Sequence, residues 1–215
     1  MPVRRLPIYI AIDTSGSMRG EPIESVNVGL QSMLQAMRQD PYALESVHLS
    51  VLTYDREVKE LFPLTPLEDV QMPTITCPQS SPTHLGEVLK LVIERFDRDV
   101  KQSNADGKGD WRPMFFVMTD GAPSDIQLFN KMVPEIKRRS FSRIIACAAG
   151  PKAKTEYLEQ FAKPVVCLDT TDSASFAAFF KWVSGSVNAG SASAGISPDM
   201  ADTLPPPPDE VQIVL

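Results

Sequence analysis

Met114, Phe115, Phe116, Val117 and Met118 set five apolar side chains in a row, with no polar residue between them. A strand with one face in water alternates apolar and polar residues, so an unbroken run has to be buried on both faces. Two more runs have this character. One covers residues 6–12 and stops at Asp13; the other lies within residues 142–149. Strands buried on both faces belong to a sheet covered above and below, and parallel neighbours need long crossover connections. The stretches between the runs have the period of helices. Ile23, Val26, Leu30, Leu34 and Met37 share one helical face, and Leu85, Val88, Leu89, Val92, Ile93 and Phe96 share another. Residues 126–139 and the shorter 155–161 are further helices. Phe176, Phe179, Phe180 and Val183 mark a closing one. Residues 46–54 and 57–64 form two strands joined through Asp55 and Arg56 as a hairpin, and 165–168 is a last short strand. The expected fold is α/β and doubly wound. It has a mostly parallel central sheet, helices on both faces and one antiparallel edge strand.

Composition narrows the function classes. The chain has 215 residues, 43% of them apolar and 22% charged, which suits one soluble domain with its own core. The formal charge of −6 argues against a cationic nucleic-acid surface. No apolar run nears the length of a membrane span. Arg4 and Arg5 precede the first apolar run as they would in a leader. That run ends after seven residues, however, and no small-residue cleavage site follows, so a first strand is expected instead. The three cysteines (Cys77, Cys147, Cys167) include no CxxC pair. Buried thiols in a reducing, cytoplasmic setting are the expectation.

A change of composition falls at Gly185. Residues 185–215 are rich in Gly, Ser and Ala and then run through Pro205 to Pro208. They carry Asp199, Asp202, Asp209 and Glu210 with no Lys or Arg. Four of the six net negative charges therefore lie there. The domain is expected to span residues 1–184, followed by a flexible acidic tail. The apolar ending from Val211 offers the alternative of a peptide that docks in a groove or adds a strand.

In a doubly wound sheet, ligands bind beyond the carboxyl ends of the strands, near the point where strand order reverses. Three informative segments lie at such places. Asp13, Ser15 and Ser17 form D-x-S-x-S after the first strand; Thr83 precedes the second long helix; Thr119-Asp120-Gly121 follows the all-apolar strand. Converging, they would offer two carboxylates and three hydroxyls. Such hard oxygen donors favour Mg²⁺, with Mn²⁺ or Ca²⁺ as alternatives, over zinc or copper. Three of the five donors are neutral, so the ion would stay electrophilic, and its natural last ligand is a carboxylate from a partner protein.

On these residues the chain resembles the von Willebrand factor type A domain over roughly residues 6–184. Asp13, Ser15, Ser17, Thr83 and Asp120 match its metal-ion-dependent adhesion site. Residues 12–23, 40–45 (beginning Asp40-Pro41-Tyr42) and 109–113 (Gly109-Asp110-Trp111-Arg112-Pro113) are similar to the bacterial TerY-type members of that family. That resemblance implies a cytoplasmic adaptor linked to tellurium-resistance and stress gene clusters, working beside a protein kinase and a PP2C-like phosphatase. A monomer is expected.

Plainer roles stand beside these. Ser15 and Ser17 suit caps for the helix that begins near Pro22, and Thr83 suits an N-cap with Glu87 near the capping-box position. Asp125 and Glu21 suit charges that complement helix dipoles. His84 and His48 suit rim or surface positions. Trp111 is either an anchor for the polar loop before it or an exposed contact. The rival function is a Mg²⁺-dependent hydrolase or phosphotransferase, since a metal between two carboxylates can carry phosphoryl chemistry. Against it, Ser15 stands where an aspartyl-phosphate enzyme would place a second carboxylate. G-x-G-x-x-G, a Walker lysine and G-x-S-x-G are also missing.

Overall fold

The computed structural model describes residues 4–103, 107–193 and 204–214. Seven strands form one sheet in the order β3-β2-β1-β4-β5-β6-β7. The strands are β1 (Leu6–Asp13), β2 (Val47–Tyr54), β3 (Val58–Pro66), β4 (Met114–Thr119), β5 (Arg143–Ala149), β6 (Val165–Leu168) and β7 (Gln212–Val214). β2, β1, β4, β5 and β6 are parallel, whereas β3 and β7 close the two edges antiparallel. The helices are α1 (Glu21–Arg38), α2 (Pro41–Ser46), α3 (Leu85–Asp99), α4 (Ile126–Lys137), α5 (Thr155–Leu158) and α6 (Ser173–Ser193).

Side chains of the central strands alternate between two cores. Ile8, Ile10 and Ile12 of β1 join Met114, Phe116 and Met118 of β4 on the face packed by α1 and α6. Tyr9 and Ala11, with Phe115 and Val117, point the other way, into the core shared with α3 and α4. The unbroken apolar run thus has helices on both sides, as its composition requires. All the apolar residues singled out on the α1, α3 and α6 faces are buried.

α1 and α6 approach closely at Gly29. A β-carbon there would lie 2.2 Å from Phe180 Cδ2. α1 also pins the segment that follows β3 by its main chain. Asn27 both donates to and accepts from the Ile75 backbone at 2.8 Å. Arg38 donates to the carbonyls of Leu67, Glu68 and Val70. At the opposite pole, the Arg4 guanidinium lies 3.7 Å over the Trp111 ring, and Arg5 pairs with Asp110 at 2.6 Å. These contacts give Trp111 the anchoring role.

Two features differ from expectation. α2 is a six-residue helix, too short for periodicity to reveal, although Asp40 caps it by accepting the Ala43 N–H and Pro41 opens it. The larger difference concerns the tail. The expected boundary at residue 184 falls inside α6, and residues 204–214 lie against the domain instead of hanging free. Trp182 Nε1 donates to the Pro205 carbonyl at 2.8 Å, Val211 is buried, and β7 pairs with β6 from Cys167 to Val165. The apolar residues from Val211 onward supply the burial that the acidic, proline-rich composition hid. The sheet consequently has two antiparallel edge strands, not one. Residues 194–203 and Leu215 of the expected tail lie outside the described residues.

Two stability measurements check this packing. Gly29→Val should lower stability by about 2–3 kcal/mol, because the added volume overpacks against Phe180; an unchanged urea midpoint would contradict the contact. Removing residues 204–215 should leave a folded protein that is less stable by about 2–4 kcal/mol, from lost Val211 burial and strand pairing. Trp182 emission should shift to the red in the same variant.

Candidate metal centre

β1 pairs with β2 on one side and β4 on the other, so its carboxyl end is where the strand order reverses. The chain leaves β1 at Asp13 and enters a single 3-10 turn, Gly16–Met18. Asp13 is wholly buried. Its Oδ1 accepts the Ser15 N–H at 2.8 Å, and its Oδ2 accepts the Thr119 hydroxyl at 2.6 Å. The first bond curls the loop back over the strand end; the second ties β1 to β4. The Ser15 and Ser17 hydroxyls lie 3.3 Å apart, and Ser17 Oγ donates to Asp120 Oδ1 at 2.9 Å.

Thr83 enters from the segment before α3. Its N–H donates to Ser124 Oγ at 3.2 Å, and its carbonyl accepts the Ser124 N–H at 2.8 Å. Its Oγ1 faces Gly121, where a β-carbon would lie 3.7 Å away. The next residue, His84, donates its N–H to the Asp55 carbonyl, and Asp55 Oδ2 accepts the Thr14 hydroxyl. Asp13, Ser15, Ser17 and Asp120 are thus linked in one chain of hydrogen bonds, and the Thr83 hydroxyl lies beside Gly121, the residue after Asp120. Capping does not explain their hydroxyls. The N-cap of α1 is Gly20 and that of α3 is His84, and Ser15 heads the 3-10 turn without a side-chain cap bond.

Burial pushes the Asp13 carboxyl up from 3.8 to about 6, despite the hydrogen bonds from Thr119 and Ser15 that favour its charged form. Burial also raises Asp120, against the hydrogen bond from Ser17 and the distant charge of Lys152. Among the described residues neither carboxylate has an ion-pair partner. Two neighbouring buried carboxylates without a cation form a charge pattern that a divalent ion satisfies. No group of three or more His, Cys, Asp or Glu among the described residues is arranged to hold a metal. An ion at this spot would thus depend on the hydroxyls as well, and two carboxylates with three hydroxyls fit a hard cation.

Several supporting residues escaped sequence reasoning. Thr119 was visible only as the first letter of T-D-G, and its bond to Asp13 depends on β1 and β4 being neighbours. Tyr54 lies wholly buried beneath the site and donates its hydroxyl to the Met118 carbonyl at 2.9 Å. Asp125 is at the start of α4, as expected, but makes no side-chain cap there. Its carboxylate instead accepts the N–H groups of Gly86 and Glu87 in the first turn of α3, at 3.0 and 2.9 Å. His84 lies on the rim, its Nδ1 at 3.0 Å from the Arg56 carbonyl. Beside the site, a groove of about 530 Å³ runs between the Asp55–Lys59 hairpin and the segment around Ile75 and Cys77. Among the described residues no helix is long and apolar enough to cross a membrane.

Comparison with known proteins identifies the family and the fold. The sequence matches the von Willebrand factor type A domain over residues 8–180. Nothing among curated proteins matches it. Proximal thread matrix protein 1 from the mussel byssus superposes with a TM-score of 0.60 at 20% identity, over 85% of this chain and 48% of that one. A second structure of the mussel protein has zinc in its MIDAS motif and superposes at 0.58, with the same identity and coverage. A von Willebrand factor type A protein from Catenulispora acidiphila gives 0.62 at 14% identity, over 86% of this chain and 43% of its own. The chain thus spans about half the length of these structures or less, and at such identities the likeness is one of fold. The sequence match, in contrast, covers most of the chain and both strand ends that carry the site: this protein belongs to the von Willebrand factor type A domain family.

Proposed function

We propose that this chain is a metal-dependent protein-binding adaptor whose ion is held by Asp13, Ser15, Ser17, Thr83 and Asp120. The observation that carries the reading is the bond from Ser17 to Asp120 beside the wholly buried Asp13, two acids with no ion-pair partner among the described residues. Mg²⁺ is the ion this donor set favours, with Mn²⁺ and Ca²⁺ as alternatives. The zinc-occupied MIDAS motif of the mussel protein supports a divalent site at this place in the fold. When bound, the ion would offer a Lewis-acidic position to an Asp or Glu of a partner. Asp13 and Asp120 provide the negative charge, and the three hydroxyls add neutral donors that leave the ion electrophilic. The adjoining groove gives the partner's neighbouring residues a place to lie.

The TerY-like stretches, 12–23, 40–45 and 109–113, extend the proposal to a cytoplasmic setting in tellurium resistance or stress response. A protein kinase and a PP2C-like phosphatase are the proposed partners. No reaction is assigned to the chain. Its one imidazole beside Thr83 is engaged with the Arg56 carbonyl, and von Willebrand factor type A domains are generally interaction modules.

Mg²⁺ or Mn²⁺ at about 100 times its Kd should add roughly 2.7 kcal/mol of stability, a rise in Tm of about 5–10 °C. Asp13→Asn and Asp120→Ala should abolish that rise and the chelator-sensitive capture of partners. A response retained in both variants would sink the proposal. Acidity offers a separate check without metal. The folded Asp13 carboxyl keeps its proton up to about pH 6, above the 3.8 of an exposed aspartate. The folded state therefore binds more protons across that window. The Asp13 contribution to stability should be fully present below about pH 4, fall as the pH rises through about 6 and then level off. Metal affinity should change in the opposite sense, rising to about pH 6 as the proton leaves. In Asp13→Asn this part of the pH dependence should vanish, and at pH 7 the metal-free variant should be more stable than the wild type.

A further inference from the structure

We infer that Asp125 is a positioning residue for the centre: it locks the Thr83 donor to Asp120 by tying two helix N-termini together. This inference rests on the metal-binding reading above. Asp125 is not itself placed as a ligand, because its carboxylate is turned to the first turn of α3. Oδ1 accepts the Gly86 N–H and Oδ2 the Glu87 N–H. These are first-turn amides of α3, which have no partner within their own helix. The carboxylate also places negative charge at the positive end of the α3 dipole. Its own helix takes only the Asp125 carbonyl, which accepts the Phe129 N–H at 2.9 Å.

The result is a short closed circuit. It runs from Ser124 and Asp125 across to Gly86 and back through His84 to Thr83, and Asp120 lies four residues before Ser124 in the same segment. The reciprocal pair of bonds between Ser124 and Thr83 closes the ring. Each link restrains the Thr83 hydroxyl relative to the Asp120 carboxylate, and the two belong to segments that the sheet alone does not join. Gly86 is part of the device. A β-carbon there would lie 2.5 Å from the Phe129 nitrogen and 2.8 Å from Asp125 Oδ2, so the helices meet only because that position has no side chain. Partners that orient metal ligands typically change metal affinity 10- to 100-fold when removed.

The test is a double-mutant cycle on Mn²⁺ affinity, read by electron paramagnetic resonance or calorimetry on the full chain. Asp125→Asn is near-isosteric; it removes the charge and gives the amide N–H groups one good acceptor in place of two. It should weaken Mn²⁺ about 10-fold or more, and Ser124→Ala should weaken it severalfold. Thr83→Ala alone should weaken binding, and adding Asp125→Asn to it should cost little more, because no hydroxyl remains to be positioned. A purely structural Asp125 would instead lower the unfolding midpoint and leave affinity unchanged, or give losses that multiply in the double variant; either result overturns the inference. If wild type and Thr83→Ala both fail to bind Mn²⁺, the metal-binding reading itself falls and takes the inference with it. Should Asp125→Asn fail to fold, Ser124→Ala alone decides, with unchanged affinity counting against the circuit.

Discussion

A carboxylate wholly removed from water sits at the end of a central strand, β1, and the whole upper edge of the domain is arranged around that fact. β1 is paired on both sides and packed on both faces, so Asp13 at its end cannot turn out to solvent. An ionised group in that position is costly unless donors surround it. Ser15 and Thr119 provide two, one from the loop above and one from the neighbouring strand. Meeting the needs of one side chain thereby shapes the serine loop and fixes the end of β4, which aims Asp120 toward the same spot. Loop geometry at this edge follows from desolvation at Asp13, with the parallel register of β1 and β4 setting the distances.

Much of this was legible in the residues because the relevant signals are local and periodic. Runs such as Phe115-Phe116-Val117 announce strands covered on both faces. The faces of α1, α3 and α6 follow a 3.6-residue period long enough to stand above chance. The D-x-S-x-S loop could be placed because it follows the first of those runs. What stayed hidden is short or depends on the tertiary arrangement. α2 has a cap and a proline but too few turns for a period. β7 has three residues and follows four prolines, so its composition spoke for a free tail while its partner strand lies more than 40 residues earlier. Asp125 shows the limit most clearly. Its place at a helix start was evident, but which helix would receive its charge depends on how α3 and α4 meet, and nothing near position 125 encodes that.

The fold also separates the work of its two faces. On one, α1 and α6 pack tightly enough for Gly29 to touch the Phe180 ring, and side chains of α1 hold the segment after β3 by its main chain. On the other, α3 and α4 are joined at their N-termini by hydrogen bonds that end at the candidate centre. Substitutions on the first face act on the whole domain through volume. On the second, a change of one oxygen near α3 can alter the centre while the core stays packed.

The two antiparallel edge strands have a consequence for how the protein behaves among its own copies. An open edge of parallel strands would offer a ladder of free amide and carbonyl groups to any passing strand. Here the β3 margin carries proline, which has no N–H to give to a ladder, and the β7 margin is only three residues long. Pro63 and Pro66 lie on β3, and the run from Pro205 to Pro208 leads into β7. The sheet is thus fenced on either side against strand-to-strand aggregation, while the loops at the carboxyl ends of its strands remain free to meet a partner.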